Sequence, residues 1–198
     1  MPRTAAPILA AAILALALTG CDPDGPPTPS SSASASESAA PSPSSSPTPT
    51  EAAGPAPANL PSDCAAIGSA DTRAATVDGL TLQGDGTGFV RPAPASAQLV
   101  LGCDWFTGDA TGVLLLINRV DADEAAAFAA TLPSQGFTCT TGDAGNPVCQ
   151  KTTPNSQFPV DTVETILSRE DVWIYMSTSN VEGDPLLSDL NASIWPPA

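Results

Sequence analysis

Gln98-Leu99-Val100-Leu101-Gly102-Cys103-Asp104-Trp105-Phe106, then a short turn, then Val113-Leu114-Leu115-Leu116-Ile117: these two runs decide the fold. In the first, period-two alternation puts Leu99, Leu101, Cys103 and Trp105 on one face and leaves Asp104 on the other. The second is a continuous apolar run of the length and composition of a strand covered on both sides. Thr107-Gly108-Asp109-Ala110-Thr111-Gly112 between them is rich in turn formers. The pair predicts an antiparallel hairpin at the centre of a sheet.

Upstream, Leu60 to Ile67 reads as a short helix capped by Ser62 and ended by Gly68. Leu80-Thr81-Leu82 alternates as a strand, and Gly84-Asp85-Gly86-Thr87-Gly88 is a turn leading to Phe89-Val90. Pro92 and Pro94 then exclude a central strand. Downstream, Asp121 and Glu124 have the spacing of a reciprocal helix cap, ahead of an apolar stripe of Ala125, Phe128, Ala129 and Leu132 that Pro133 and Gly136 end. Phe137 to Thr140 and Val148 to Thr152 flank a further turn that sets Cys139 opposite Cys149. Thr162 to Arg169 and Val172 to Ser179 make another hairpin. Asp184 as cap and Pro185 at the first helical position open a last helix carrying Leu186, Leu187, Leu190 and Ile194. The expected domain, residues 59–198, is α+β: one antiparallel sheet with two or three short helices.

The chain ahead of that domain is of a different kind. Arg3 precedes the apolar run Pro7 to Leu18, which is too short to span a bilayer and closes on Leu18-Thr19-Gly20-Cys21. This motif resembles the lipobox of bacterial lipoproteins. The resemblance implies a signal peptide of residues 1–20, cleavage before Cys21, acylation of the Cys21 thiol, and residence on the outer face of the cytoplasmic membrane. From Asp22 to Ala58 the chain is almost all Pro, Ser, Thr and Ala, with no aromatic residue and no Ile, Leu, Val or Met. Such a segment cannot offset its ordering entropy by burial, so residues 21–58 are expected to form a disordered tether with a reach of about 100 Å. Its Ser/Thr-Pro runs suit either a plain spacer or a stalk bearing O-linked sugars.

Five cysteines is an odd count for an exported chain. Setting Cys21 aside as the lipid carrier leaves Cys64, Cys103, Cys139 and Cys149, an even set in a compartment where disulfides persist. Three pairings are open, and spacing favours Cys139 with Cys149 across a hairpin and Cys64 with Cys103 between the start of the domain and its central strand. Two such loops contribute on the order of 3 to 4 kcal/mol each in the chain-entropy model. A zinc site is disfavoured, because the chain has no His and no Cys-x-x-Cys pair.

Charge narrows the partners. After Arg3 is removed with the signal, five basic residues face twenty-one acidic ones, a formal charge of −16. This disfavours nucleic acid and a second, electrostatic membrane contact, and suits either cationic partners or solubility alone. The absence of His closes the Ser-His-Asp and Cys-His routes, and no Gly-x-Ser-x-Gly or Ser-x-x-Lys motif is present. Gly84-x-Gly86-x-Gly88 lacks the lysine of a phosphate-binding loop. Asp121, Asp123 and Glu124 lack the glycine a calcium loop needs at its sixth position. No cofactor or metal is expected.

Trp173 and Tyr175 share one face of their strand, opposite Val172, Ile174 and Met176. Either both faces are covered and these aromatics are core, or the Trp173 face is open and forms the best candidate binding surface for a glycan or protein. Beyond the lipobox, Pro61-Ser62-Asp63-Cys64 and Cys103-Asp104-Trp105 on a stalked domain are similar to those of small disulfide-bonded envelope lipoproteins of high-GC Gram-positive bacteria. That resemblance implies a surface location and no catalytic residues. The expected function is a non-catalytic binding or interaction module anchored in the bilayer through acylated Cys21, with an envelope protein or glycan as partner. The alternative is an envelope hydrolase working through carboxylates, with Asp104 the carboxylate best placed beside an aromatic strand.

Overall fold

A computed structural model describes residues 57–196. Cys21, the signal sequence and nearly all of the tether lie outside the described residues. Seven strands, β1 (Thr81–Gly84), β2 (Gln98–Thr107), β3 (Thr111–Arg119), β4 (Thr138–Thr141), β5 (Pro147–Pro154), β6 (Asp161–Arg169) and β7 (Val172–Ser179), form one sheet in the order β1-β2-β3-β7-β6-β5-β4. Every neighbouring pair is antiparallel. The sheet, the helices and two disulfides make an α+β domain, as the alternation of the sequence predicts.

The two opening runs are β2 and β3, paired from Gln98–Arg119 to Thr107–Thr111. On its other side β3 pairs with β7, so the apolar run sits mid-sheet and needs cover on both faces. Helix α3 (Asp184–Ile194) supplies it on one face, where Val113, Leu115, Ile117, Ile174 and Met176 cluster with Leu186, Leu190 and Ile194. Helix α2 (Ala122–Ala129) supplies it on the other, where Leu116, Ile166, Trp173 and Tyr175 meet Ala125, Ala129 and Leu132. Burying about a dozen large apolar side chains, at roughly 1.5–3 kcal/mol each, is the main favourable term of the fold.

The cysteines pair as spacing favours, Cys64 with Cys103 and Cys139 with Cys149. Cys139 and Cys149 are direct cross-strand partners on β4 and β5. Cys64 lies in a 3-10 turn, Cys64–Ala66, that its disulfide holds against β2.

Several local expectations are corrected. The first turn is capped by Asp63, which accepts from the Ala65 N–H at 2.8 Å, and not by Ser62. A helix the apolar pattern did not announce, α1 (Ala70–Thr76), follows Ser69, whose hydroxyl accepts from the Thr72 N–H. It buries only Thr76, so it lacks the apolar stripe that reveals a helix in sequence. Asp121 does cap α2, accepting from the Asp123 and Glu124 N–H groups. Glu124 does not return the bond; its carboxylate accepts from the Ser96 N–H at 3.0 Å, and the Ser96 hydroxyl accepts from the Asp121 N–H. The lock thus ties helix to loop. At α3 the cap position belongs to Gly183, and Asp184 is the first helical residue, its carboxylate instead accepting from Gln150 Nε2 at 3.2 Å.

The aromatic face of β7 is covered, so Trp173 offers no binding surface. Its side chain is wholly buried: Phe128 of α2 meets it edge-on at 5.5 Å and its Nε1 donates to the Pro92 carbonyl. Tyr175 is 5% exposed. The reason is the loop between β1 and β2, which together with α2 roofs the face that sequence alone left undecided.

Candidate binding groove

Pairing registers align the side chains of the α2 face in transverse rows. Gly102, Leu116, Tyr175, Ile166 and Cys149 form one row. Asp104, Leu114, Ser177, Glu164 and Lys151 form the next, and Phe106, Gly112, Ser179 and Thr162 the one after. The first row is apolar and roofed. Beyond it the side chains become polar and half-exposed, and that end of the face lies open.

The β1–β2 loop forms the wall of this open end. Asp85 turns it, its carboxylate accepting from the Thr87 N–H at 3.0 Å, a bond that holds the Asp85 carboxyl below the usual carboxylate range. The loop then crosses β2 directly over Gly102, where a Cβ would stand 1.8 Å from the Asp85 carbonyl oxygen. Further along it is stapled to the sheet: Arg91 donates to the buried Asn118 at 2.7 Å, and Asn118 in turn donates to the Trp173 carbonyl at 3.2 Å. Between these fixed points Phe89 and Val90 are left in solvent, 46% and 101% exposed.

The groove between that wall and the sheet has a volume of about 540 Å³. Phe89 and Phe106 are its rings, Leu114 and Tyr175 its apolar floor, and Ser177 and Asp104 its polar groups. The Phe106 ring is seated over Gly112, where a Cβ would come within 2.5 Å of it. Large apolar side chains exposed together around a concavity are what an interaction site requires.

Its two titratable groups are perturbed in different ways. Partial burial pushes the Asp104 carboxyl above the usual range, and no hydrogen bond or cation opposes it. The Tyr175 hydroxyl donates to Glu164 at 2.7 Å, and burial, then that bond, drives its pKa far upward, so it stays protonated as a fixed donor. Glu164 also meets Lys151 at 4.0 Å. Tyr175, Glu164 and Lys151 therefore satisfy one another, and Asp104 stands alone.

A second cleft, about 410 Å³, runs between α3 and strands β4 to β6 on the opposite face. Thr138, Thr140, Gln150, Asp184 and Asn191 line it without an aromatic ring. Its acid, Asp184, is already held by Gln150, so it offers less unspent chemistry. Among the described residues no group of three or more His, Cys, Asp or Glu side chains is arranged to hold a metal ion.

Of the residues singled out in sequence, Tyr175 is a groove-floor residue, Asp104 is a groove residue facing away from Trp105, and Trp173 is core. The exposed rings Phe89 and Phe106 were the missed half of the site. Comparison with protein-family models, curated proteins and solved structures finds no match to this chain.

Proposed function

We propose that this chain is a membrane-anchored extracytoplasmic lipoprotein whose domain serves as a non-catalytic binding module in the cell envelope. Acylated Cys21 is its anchor and the Pro/Ser/Thr stalk its spacer. The observation that carries the binding reading is the groove, in which two exposed phenyl rings flank a carboxylate the fold leaves without a partner. Two disulfides suit an oxidising compartment and so support an address outside the cytoplasm.

A carboxylate-dependent hydrolase has less to rest on. Asp104 and Glu164 lie in one transverse row but three strand spacings apart, on the order of 14 Å between backbones, wider than the roughly 5–9.5 Å between carboxyl groups that glycoside hydrolysis uses. Glu164 is also committed to Tyr175 and Lys151.

A photoreactive residue at Val90 in intact cells, followed by mass spectrometry of the domain, tests the reading. An adduct that disappears on Phe106→Ala supports it. An adduct indifferent to Phe106→Ala, or none at all, overturns it. Membrane fractionation of Cys21→Ser tests the anchor separately: the variant is expected in the soluble fraction, and retention in the membrane refutes lipidation at Cys21.

A further inference from the structure

We propose that the groove takes a small organic ammonium ligand, its apolar body on Phe89 and Phe106 and its N–H donors on the Asp104 carboxylate. The inference rests on the binding-module reading and adds the ligand's charge. Asp104 is half-buried beside Leu114, in the row that continues to Ser177, and its carboxylate meets no donor among the described residues.

The domain has five basic side chains, and all five are engaged elsewhere. Arg73 donates to the Gly68 carbonyl and Arg91 to Asn118. Arg119 pairs with Asp171 and Lys151 with Glu164. Arg169 lies over the Trp195 ring at 4.7 Å. The fold thus supplies no counter-charge to this carboxylate, and a ligand can.

Most of the groove suits a cation, the exception being Arg91 of the wall loop, whose charge is felt at Tyr175 on the floor. Phe89 and Phe106 line it, and the negative face of a phenyl ring attracts ammonium groups. Ser177, Ser179 and Gln83 at the margin add oxygen acceptors. A formal charge of −15 over the whole chain draws cations toward it and repels anions. An anionic ligand meets an unpaired carboxylate here.

Isothermal titration of the full chain with 2-phenylethylammonium, 2-phenylethanol and 3-phenylpropionate tests this. The three probes share a ring and differ in charge. The ammonium is expected to bind on the order of tenfold more tightly than the alcohol, as a charge pair a few ångströms apart at a half-exposed site allows, and the carboxylate more weakly than either. Asp104→Asn is expected to bring ammonium and alcohol together, while Phe106→Ala weakens both. If the alcohol binds as tightly as the ammonium, or the preference survives Asp104→Asn, the ammonium inference is overturned and the groove stands as an uncharged site. If no probe binds, or binding ignores both Phe106→Ala and Phe89→Ala, the binding reading of the groove falls with it.

Discussion

The backbone carbonyl of Asp85 lies where the side chain of Gly102 would have to begin: a Cβ at position 102 falls 1.8 Å from that oxygen. Backbone cannot yield as the tip of a side chain can, so the loop that walls the groove stays on the sheet only while residue 102 is glycine. Gly102→Ala is therefore expected to lift the loop, at a cost of about 1–3 kcal/mol in denaturant unfolding. Hydrogen exchange should rise from Gly86 to Arg91 and leave β6 unchanged. Unaltered protection in the loop would show that the crossing does not hold it.

Asp104 has a second signature, in stability. Partial burial raises its folded pKa above the unfolded value of 3.8, so the folded state binds the proton more tightly. Stability is complete below the unfolded value, where the carboxyl is protonated in both states, and is lost as pH rises through the folded pKa. Asp104→Asn, which has no charge to desolvate, is expected to melt slightly higher than wild type near pH 7 and at the same temperature near pH 3. A groove residue that weakens the fold while unpaired is what a retained ligand contact looks like. Equal melting at both pH values would remove the desolvation argument.

The sheet was readable because its signals are local and repeated. Leu101 to Trp105 alternate, Val113 to Ile117 do not, and that contrast is the difference between a strand with one face half-exposed and one buried on both; Leu99, expected on the face of Leu101, is set off it by a bulge and is exposed. The site was not readable, because it depends on what a loop with no periodicity does. Nothing local says that residues 85–97 cross β2 and bury Trp173, since the cause is spread over Gly102, Asn118 and Ser96, each unremarkable in its own segment. Asn118 illustrates the point: it interrupts an apolar strand and would be judged solvent-facing, yet it is fully buried between Arg91 and the Trp173 carbonyl. The same roof that hides Trp173 leaves Phe89 out, so the missed Phe89 ring and the undecided Trp173 have one origin.

Asp189 on α3 governs a separate pH dependence. Its carboxylate accepts from the Thr72 hydroxyl and from the Ser69 N–H, joining α3 to the start of α1. Led by the Thr72 bond, these hydrogen bonds lower its pKa from 3.8 to about 2. The folded state therefore binds the proton less tightly than the unfolded chain, and the contribution is complete above the ordinary value and lost as pH falls through about 2. Asp189→Asn is expected to be less stable than wild type across about pH 5 to 7, with the gap narrowing below about pH 4. A constant gap down to pH 2 would mean that the charge of Asp189 is not what joins the helices.

The two disulfides act on different parts of the molecule, and separate removal distinguishes them. Cys64–Cys103 spans 39 residues and Cys139–Cys149 only 10, so in the chain-entropy model their loss costs about 4 and about 3 kcal/mol. Location sharpens the contrast. Cys103 is fully buried and belongs to the α3-side core, and its bridge fixes the first turn of the domain against β2, the strand that carries Asp104 and Phe106. Cys139 lies on β4, the outermost strand at the far edge of the sheet. Replacing Cys64 and Cys103 by Ala is expected to lower stability by the larger amount and to weaken probe binding in the groove. Replacing Cys139 and Cys149 by Ala is expected to free β4 to exchange its amides, with groove binding kept. Parallel urea unfolding and titration of the two variants decides it: groove binding lost through the β4–β5 bridge alone would contradict this division of roles.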